Sequence, residues 1–323
     1  MVTNEMIQKR QLGKTNLLVT PIGLGVMEFS GGGGIMGRML PIIPQGEKNA
    51  IIKAALDGGI NWFDTAEIYG AGISERSLAA ALQAAGKSDA DVFIETKWRA
   101  YLRTAGNIGR SISTRLQNLD GFSISIYLIH QPASFSSPEA EMNAMADLVE
   151  AGKIRSVGVS NFDSVRMRRA HAALAKRGLP LAVNQVRYSL LSRDIETNGV
   201  LETARELGVT IIAYTPLERG LLSGKYHKHP DMLNRMAGWR KAIIMRNFER
   251  SRKLISAMEE IAAKYQATIA QVALNWLIHY SGEIVVTIPG ATTVSQAMEN
   301  AGAMKFRLSD DELAQLDNLS HES

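Results

Sequence analysis

The chain has 323 residues, and its 36 Lys and Arg against 32 Asp and Glu give a formal net charge of +4. This mild balance excludes a strongly basic nucleic-acid-binding protein and a polybasic membrane-surface protein. Hydrophobic residues make up 46% and charged residues 21%, which is typical of a globular protein rather than a disordered one. Cysteine is absent, which excludes a disulfide scaffold, a cysteine nucleophile, a cysteine-ligated zinc ion and an iron–sulfur cluster.

The sequence predicts no targeting or membrane-spanning segment. The N-terminal segment Met1–Arg10 lacks the apolar stretch of a signal peptide. The longest apolar runs, such as Val285–Ile288, are far shorter than the roughly 20 residues that cross a bilayer. We therefore expect a soluble, cytoplasmic protein.

Short apolar segments alternate with longer amphipathic segments along most of the chain. The apolar segments are nearly continuous in hydrophobic character, which favours parallel strands buried on both faces. The predicted strands are Pro21–Gly25, Asn61–Phe63, Val92–Glu95, Ser125–Ile129, Ser156–Val159, Ala182–Gln185, Thr210–Ala213 and Ile284–Ile288.

The amphipathic segments predict helices, several of them with recognisable ends. Gly58 and Gly59 form a C-terminal stop, Ser137 precedes a proline at the first helical position, and Ser309–Glu312 has the pattern of a capping box. The predicted helices are Glu47–Asp57, Ser74–Ala85, Pro138–Ala151, Asp163–Lys176, Asp194–Leu207, Asn247–Tyr265, Thr268–Tyr280 and a last helix after Ser309.

Eight strand–helix units of this kind predict a (β/α)₈ TIM barrel, which we expect to occupy residues 1–323 as a single domain. Two segments fall outside the repeat. Lys9–Thr20 reads as an N-terminal β-hairpin that caps the barrel. Leu217–Asn247 is a long loop after strand seven, and long loops in barrels are commonly functional.

Barrel active sites lie at the C-terminal ends of the strands, where this chain places four reactive side chains. Asp64 and Tyr69 follow the second predicted strand, Lys97 follows the third and His130 follows the fourth. A lysine cation favours a phenolate and lowers the pKa of a neighbouring tyrosine, and an aspartate can hold that cation. A histidine can orient a carbonyl oxygen, so the set could protonate a carbonyl group as a hydride arrives.

The segments that carry these residues resemble the aldo-keto reductase family from about Arg10 to Leu319. The most specific segment is Gly59–Gly70, which reads GINWFDTAEIYG. The others are Gly152–Phe162, Asn184–Ser189 and Ile288–Gly290. The resemblance implies an oxidoreductase that reduces aldehydes or ketones. It implies Tyr69 as the proton donor, Asp64 and Lys97 as groups that tune it, and His130 as the group that orients the substrate.

The resemblance also implies a nicotinamide cofactor, NADP(H) by preference and NAD(H) as the alternative. Ser160, Asn161 and Gln185 would hold the carboxamide and Tyr214 would stack on the nicotinamide. The turn Thr215-Pro216-Leu217 and the stretch from Gly220 through Ser223 to Lys225 would enclose the pyrophosphate. The remaining expected cofactor contacts are Gly25, Val26, Met27, Asp64, Arg235, Gly290, Thr292, Gln296, Glu299 and Asn300.

The expected site for the 2′-phosphate departs from a common family pattern. Many members carry Lys-Ser after Ile-Pro, followed by an arginine, whereas this chain has Gly290, Ala291 and Gln296. That arrangement is similar to the branch containing the potassium-channel β subunits, in which the long loop contacts the phosphate. By this likeness Lys225 and Arg235 are the candidate phosphate ligands.

Two other functions remain open from the sequence. A nucleotide-sensing regulatory subunit of a membrane complex would share the cofactor site but turn over slowly, although the intact set of four residues favours an enzyme. A barrel isomerase or aldolase would use Lys97 to form a Schiff base. The expected partner is a small carbonyl substrate rather than nucleic acid, with the oligomeric state left open.

The substrate pocket is expected to include Met27, Tyr69, Trp98 and His130. Gly32–Gly37 matches the pattern G-x-G-x-x-G, but two prolines follow within Arg38–Pro44 and argue against the helix that a dinucleotide fingerprint requires. We interpret Gly31–Gly34 as part of a loop at the barrel mouth, either a substrate cover or a plain insertion. No metal site is predicted, and His227 and His229 are expected to be surface histidines.

Overall fold

The computed structural model describes residues 7–38, 40–236 and 238–321. Two strands, β1 (Arg10–Gln11) and β2 (Leu18–Val19), pair antiparallel as the predicted hairpin. Eight strands then form one parallel sheet in chain order. They are β3 (Leu24–Gly25), β4 (Trp62–Asp64), β5 (Phe93–Trp98), β6 (Ile124–Ile129), β7 (Ile154–Ser160), β8 (Leu181–Arg187), β9 (Thr210–Tyr214) and β10 (Val285–Thr287).

The sheet closes on itself as a barrel because its first and last strands also bond to each other. The backbone N–H of Gly23 donates to the carbonyl of Thr287 at 2.9 Å, and that of Gly25 donates to Pro289 at 3.1 Å. The predicted (β/α)₈ barrel is therefore confirmed. Closure removes the unpaired strand edges and brings the carboxyl ends of all eight strands to one rim.

The helices surround the barrel and follow its strands. They are α1 (Gly34–Gly37), α2 (Gln45–Asp57), α3 (Ile73–Ala84), α4 (Gly106–Asn118), α5 (Pro138–Glu150), α6 (Ser164–Ala175), α7 (Val200–Leu207), α8 (Lys225–Lys228), α9 (Gly238–Phe248), α10 (Arg252–Tyr265), α11 (Ile269–Tyr280), α12 (Val294–Gly302) and α13 (Asp310–His321). Within the described ranges, no helix has the length and apolar character needed to cross a membrane.

Side chains that point into the barrel form two layers, because inward positions recur at every second residue of a strand. The apolar layer lies toward the N-terminal ends of the strands. It consists of Trp62, Ile126, Leu128, Val183, Ile212 and Val286, and hairpin residues Leu12, Leu17 and Val19 close it from below. The polar layer lies toward the C-terminal ends of the strands and contains Asp64, Glu95, Lys97, Ser160 and Gln185, all buried.

The strands' outward residues pack against the helices in a second, larger core. Phe63, Ile94, Tyr127 and Val159 belong to this core, and so does Trp98, whose side chain is fully buried. The strands are therefore covered on both faces, as their continuous apolar character predicted.

Helix ends largely match the sequence expectations. The side chain of Ser137 caps α5, Asp163 caps α6 and Thr268 caps α11. The predicted capping box at α13 is present, since the backbone N–H of Ser309 donates to Glu312 and that of Glu312 donates back to the Ser309 hydroxyl. Each cap satisfies backbone groups that a helix terminus would otherwise leave unbonded.

The sequence interpretation missed or merged several helices. It did not predict α4, whose Ser, Gly and Asn residues are weak helix formers, or α12. The predicted helix Asp194–Leu207 is split, with a 3₁₀ turn at Asp194–Glu196 and α7 starting after Gly199 at φ 82°. The predicted helix Asn247–Tyr265 corresponds to α10 over most of its length. The long segment before it, predicted as a loop, contains α8, α9 and two 3₁₀ helices.

Candidate active site

Lys97 and Asp64 form a buried ion pair in the polar layer. Both side chains point inward from the ends of neighbouring strands, β5 and β4. The Lys97 side chain is fully buried and its Nζ donates to the Asp64 carboxylate. The same Nζ also donates to the carbonyl of Thr65 at 2.9 Å. These two contacts fix the ammonium group at the top of the barrel interior.

Tyr69 and His130 complete the predicted set of four. Tyr69 lies in the turn between β4 and α3, and its ring centroid is 5.3 Å from Nζ of Lys97. The rings of Tyr69 and His130 are 5.8 Å apart with an interplanar angle of 87°. The structure therefore brings all four residues to one end of the barrel, as the sequence predicted.

A network behind Tyr69 holds its turn in place. The backbone N–H of Glu67 donates to the carbonyl of Lys97 at 3.2 Å. The Glu67 carboxylate in turn accepts from Nη1 of Arg103 at 2.8 and 2.9 Å and from the backbone of Arg99 at 3.0 Å. On the other side of the turn, Gly33 packs so closely that a Cβ placed on it would be 3.2 Å from the backbone of Gly70, the residue after Tyr69. The turn is thus fixed from both sides.

The pKa of Tyr69 is raised, whereas the sequence analysis expected the Lys97 cation to lower it. Burial raises the pKa of Tyr69 to about 12, and the Lys97 cation opposes this shift without reversing it. Burial by itself would lower the pKa of Lys97, but the carboxylate of Asp64 and other nearby anions raise it. Burial, reinforced by Lys97, lowers the pKa of His130 to about 3. At neutral pH the site therefore holds a phenol, an ammonium and a neutral imidazole.

This combination can protonate a carbonyl oxygen as it becomes an alkoxide. A phenol with a pKa of about 12 still gives its proton favourably to an alkoxide, which is about as basic as hydroxide (the pKa of water is about 15.7). A neutral imidazole can donate one N–H to the same oxygen. The geometry therefore fits general acid catalysis at a carbonyl group.

Four predicted cofactor residues lie beside this cluster. The Asn161 amide donates to the Ser160 hydroxyl at 2.9 Å, and the Tyr214 hydroxyl donates to Asn161 Oδ1 at 2.9 Å. The Gln185 amide donates to Asp64 Oδ2 at 3.1 Å. Asn161 is in the left-handed region at φ 60°, a conformation that asparagine tolerates better than most residues. These groups are amides, hydroxyls and one aromatic ring at the end of β7, β8 and β9.

The segment after β9 has an unusual backbone. Thr215, Glu218 and Arg219 have φ values of 55°, 47° and 57°. The Arg187 guanidinium donates to the Glu218 carboxylate at 2.5 Å, and Ser189 donates to the same carboxylate at 2.7 Å. These bonds hold the start of the segment against the end of β8.

The expected phosphate-binding residues lie further along this segment and in the segment that follows the neighbouring strand β10. The hydroxyl of Ser223 donates to the carbonyl of Gly220 at 2.8 Å. Nζ of Lys225 packs against Gly220, at 2.7 Å from the position that a Cβ would take if this glycine had one. The Gln296 amide oxygen accepts from the backbone of Thr292 at 2.8 Å, and Asn300 donates to the carbonyl of Gly290 at 3.1 Å. The side chain of Arg235 lies outside the described part of the chain.

Trp98 does not line the barrel mouth. It follows Lys97 on β5, so it points outward, and its indole N–H donates to Asn107 Oδ1 at 3.0 Å. Its side chain is fully buried in the core between barrel and helices. The structure thus gives no support to the expectation that Trp98 forms a substrate wall.

The sequence interpretation missed two acidic residues in this region. Glu95 points into the polar layer with Lys97, and its position two residues before Lys97 on a strand was the available signal. The carboxylate of Glu28 lies 2.7 Å from the position that a Cβ on Gly290 would take. Burial is the largest cause of the raised pKa of Tyr69, and the charge of Glu28 adds to the increase.

The fold and this cluster define a (β/α)₈-barrel protein with an acid–base site at the C-terminal ends of its strands. The profile of the Aldo/keto reductase family matches residues 21–321. The chain therefore belongs to the aldo-keto reductase family and is an oxidoreductase that acts on carbonyl groups.

Individual relatives are similar to this chain along nearly its whole length. Aldo-keto reductase str7 of Strobilurus tenacellus is 33% identical, with 97% of this chain and 92% of the relative covered. Pyridoxal reductase of Arabidopsis thaliana chloroplasts is 32% identical, with 98% and 87% covered. The crystal structure of a thermostable aldo-keto reductase bound to the inhibitor epalrestat superposes with a TM-score of 0.77 at 32% identity, covering 96% of this chain and 99% of that one.

Proposed function

We propose that this protein reduces aldehydes or ketones to alcohols with NADPH and that Tyr69 donates the proton. The observation that carries the proposal is the convergence of Tyr69, Lys97 and His130 beside the Ser160–Asn161–Gln185 group. One barrel domain would supply every residue that the reaction needs.

Each residue has a role that follows from its surroundings. A bound nicotinamide cofactor would supply the hydride to the carbonyl carbon. Tyr69 would give its hydroxyl proton to the carbonyl oxygen, so that the product is an alcohol and a phenolate remains. The Lys97 ammonium, 5.3 Å from the Tyr69 ring centroid, would stabilise that phenolate, and Asp64 holds the ammonium in place. Neutral His130 would donate to the carbonyl oxygen and orient it.

The residues around the site fit a nicotinamide dinucleotide by their chemistry. The amides of Asn161 and Gln185 and the Ser160 hydroxyl match a carboxamide, and Tyr214 offers an aromatic ring. Lys225 lies at the segment proposed to enclose the phosphates. A 2′-phosphate prefers a charged donor such as Lys225 over the neutral Gln296, which supports NADPH over NADH.

The two other functions have less support. Lys97 is fully buried, and Asp64 with the neighbouring anions keeps it protonated. A Schiff base needs a neutral and accessible amine, so the structure disfavours an isomerase or aldolase that uses Lys97. The relatives described above have enzyme names, which does not favour a nucleotide-sensing subunit.

The test is to mix the purified protein with NADPH, or separately NADH, and an aromatic aldehyde such as pyridoxal. Loss of the reduced-nicotinamide absorbance measures turnover. We expect faster loss with NADPH. Tyr69→Phe should reduce kcat by roughly 10²–10⁴-fold, because it removes the general acid, while NADPH still quenches the protein fluorescence. Bound NADPH without turnover over a panel of aldehydes and ketones would overturn the proposal, and full activity of Tyr69→Phe would overturn the role of Tyr69.

A further inference from the structure

Glu95 is a buried acid that the proposed reaction leaves without a role. It lies on β5 two residues before Lys97, so both side chains point into the barrel interior. Its relative exposure is 1%. Its register partner on the neighbouring strand β6 is the apolar Ile126, which belongs to the apolar layer. An acid in such a place is unfavourable as an anion unless it has close partners.

The partners of Glu95 are the residues of the proposed site. Its Oε1 accepts a hydrogen bond from the Gln185 amide and lies 3.9 Å from Nζ of Lys97. The same Gln185 amide donates to Asp64 Oδ2 at 3.1 Å. Oε2 of Glu95 is buried and accepts no hydrogen bond from any of the described residues. Glu95 therefore closes a ring of contacts among Gln185, Asp64 and Lys97.

The charges in this ring show which state of Glu95 is stable. Asp64 from β4 and Glu95 from β5 are two carboxyl groups that share one ammonium, Lys97. Burial raises the pKa of Glu95 well above its ordinary value, the Asp64 charge raises it further, and Lys97 only partly opposes this. A proton on Glu95 also allows a hydrogen bond to Asp64. Tyr69, from the turn after β4, feels the charge of Glu95 as well.

We propose that Glu95 is a positioning residue that acts in its protonated form. As a neutral acid it accepts from Gln185, donates to Asp64 and leaves Lys97 with a single ionised partner. It thereby holds the amide that would contact the nicotinamide carboxamide, and it keeps a second negative charge away from Tyr69. The inference rests on the proposed function, since Gln185 and Tyr69 take their roles from it.

The protonation state of Glu95 can be tested directly by infrared spectroscopy, without measuring turnover. The infrared difference spectrum of wild type minus Glu95→Gln should contain the C=O band of a protonated carboxylic acid at neutral pH. Gln185→Leu removes the hydrogen bond to Oε1 and should shift this band. Glu141, a buried acid outside the barrel that accepts from Ser134 at 2.6 Å, provides the matched control. The band lost in Glu141→Gln should not move with Gln185→Leu.

The positioning role is tested by cofactor binding, measured as fluorescence quenching by NADP⁺. Glu95→Leu removes the bond to Asp64 and the bond from Gln185. We expect the loss of the bond that positions Gln185 to weaken NADP⁺ binding by about 10-fold, the equivalent of that one hydrogen bond. Glu95→Gln keeps a neutral acceptor and donor of the same shape and should bind within about threefold of wild type. Circular dichroism spectra and melting temperatures show whether both variants are folded.

Two results would overturn the inference. One is the absence of a carboxylic-acid band assigned to Glu95 at neutral pH. The other is equal NADP⁺ affinity of Glu95→Leu and wild type, which is the result expected of an acid that only fills space. If Glu95→Leu does not fold, the infrared band and its shift in Gln185→Leu decide the matter. A wild-type protein that does not bind NADP⁺ would instead contradict the proposed function, while the infrared measurement would still test Glu95.

Discussion

Trp62 and Asp64 lie two residues apart on β4 and point into the same barrel interior, yet they belong to opposite environments. Trp62 is packed among apolar side chains that the hairpin closes from below. Asp64 is bonded to Lys97 and Gln185 in the polar layer. The apolar layer stabilises the barrel by burying hydrophobic surface. The polar layer needs its charges paired, and it lies beside Tyr69 and His130 at the C-terminal end of the barrel.

The contrast suggests that stability and catalysis are separated along the barrel axis. Substitutions in the apolar layer should act mainly on unfolding, and substitutions in the polar layer mainly on turnover. Two variants test this separation, and a third tests an exception to it, a polar-layer acid whose proposed proton links it to stability.

The largest effect is expected for Lys97→Met in the polar layer. It leaves Tyr69 without its neighbouring cation and Asp64 without its ion-pair partner. We expect kcat for aldehyde reduction to fall by roughly 10²–10⁴-fold, similar to the loss of a general acid. Lys53→Met is the control, because Lys53 is exposed and pairs with Asp57 on the surface of α2, away from the site. Near-normal kcat in Lys97→Met would contradict the proposed role of the cation.

Leu12→Ala in the hairpin should have the opposite profile. Leu12 is fully buried in the apolar layer, and truncating a buried leucine typically costs about 2–5 kcal/mol of stability. We expect a clear fall in melting temperature with kcat unchanged at temperatures where the variant is folded. Leu18→Ala in the same hairpin is the matched control, since Leu18 is 50% exposed. A fall in kcat comparable to that of Lys97→Met would show that the two layers are not separate.

Glu95→Gln should have the smallest effect of the three near pH 5, and its effect on stability should grow with pH. The pKa of Glu95 is raised in the folded protein, so the folded state binds a proton more tightly than the unfolded state. Wild type therefore loses stability as the pH rises from the ordinary pKa of 4.5 toward the folded value, by about 1.4 kcal/mol per pH unit in that window. The glutamine variant lacks this loss, so its melting temperature should exceed that of wild type by a margin that widens with pH. A constant margin between pH 5 and pH 8 would mean that Glu95 is ionised throughout.

Much of the architecture was predictable from local patterns. The eight apolar segments, the helix caps at Ser137, Thr268 and Ser309, and the hairpin at residues 9–20 depend on neighbouring residues in the chain. Helix α4 was missed because its polar and small residues give a weak helical signal, although Ile108 and Ile112 lie four residues apart and are buried. Its formation depends on packing against the barrel, which local propensity does not record.

The candidate site likewise combines features that the sequence predicted and features that depend on tertiary packing. The residue types and the strand ends on which they lie were visible in the sequence, and they pointed to Asp64, Tyr69, Lys97 and His130 together. The direction in which Trp98 points followed from strand alternation but was not used, and the structure places it in the outer core. Glu95 became visible as a partner of Gln185 only when β5 and β8, 90 residues apart in sequence at this contact, faced each other across the barrel.

What the sequence alone determined was the order of elements, the family-like segments and the identity of the four reactive side chains, because these depend on residue type and spacing. Tertiary structure alone decided the electrostatics. The net upward shift in the pKa of Tyr69, the neutrality of His130 and the proton proposed for Glu95 arise from burial and from charges on different strands. Burial and distance in space set the cost of a charge, and neither can be read from positions along a chain.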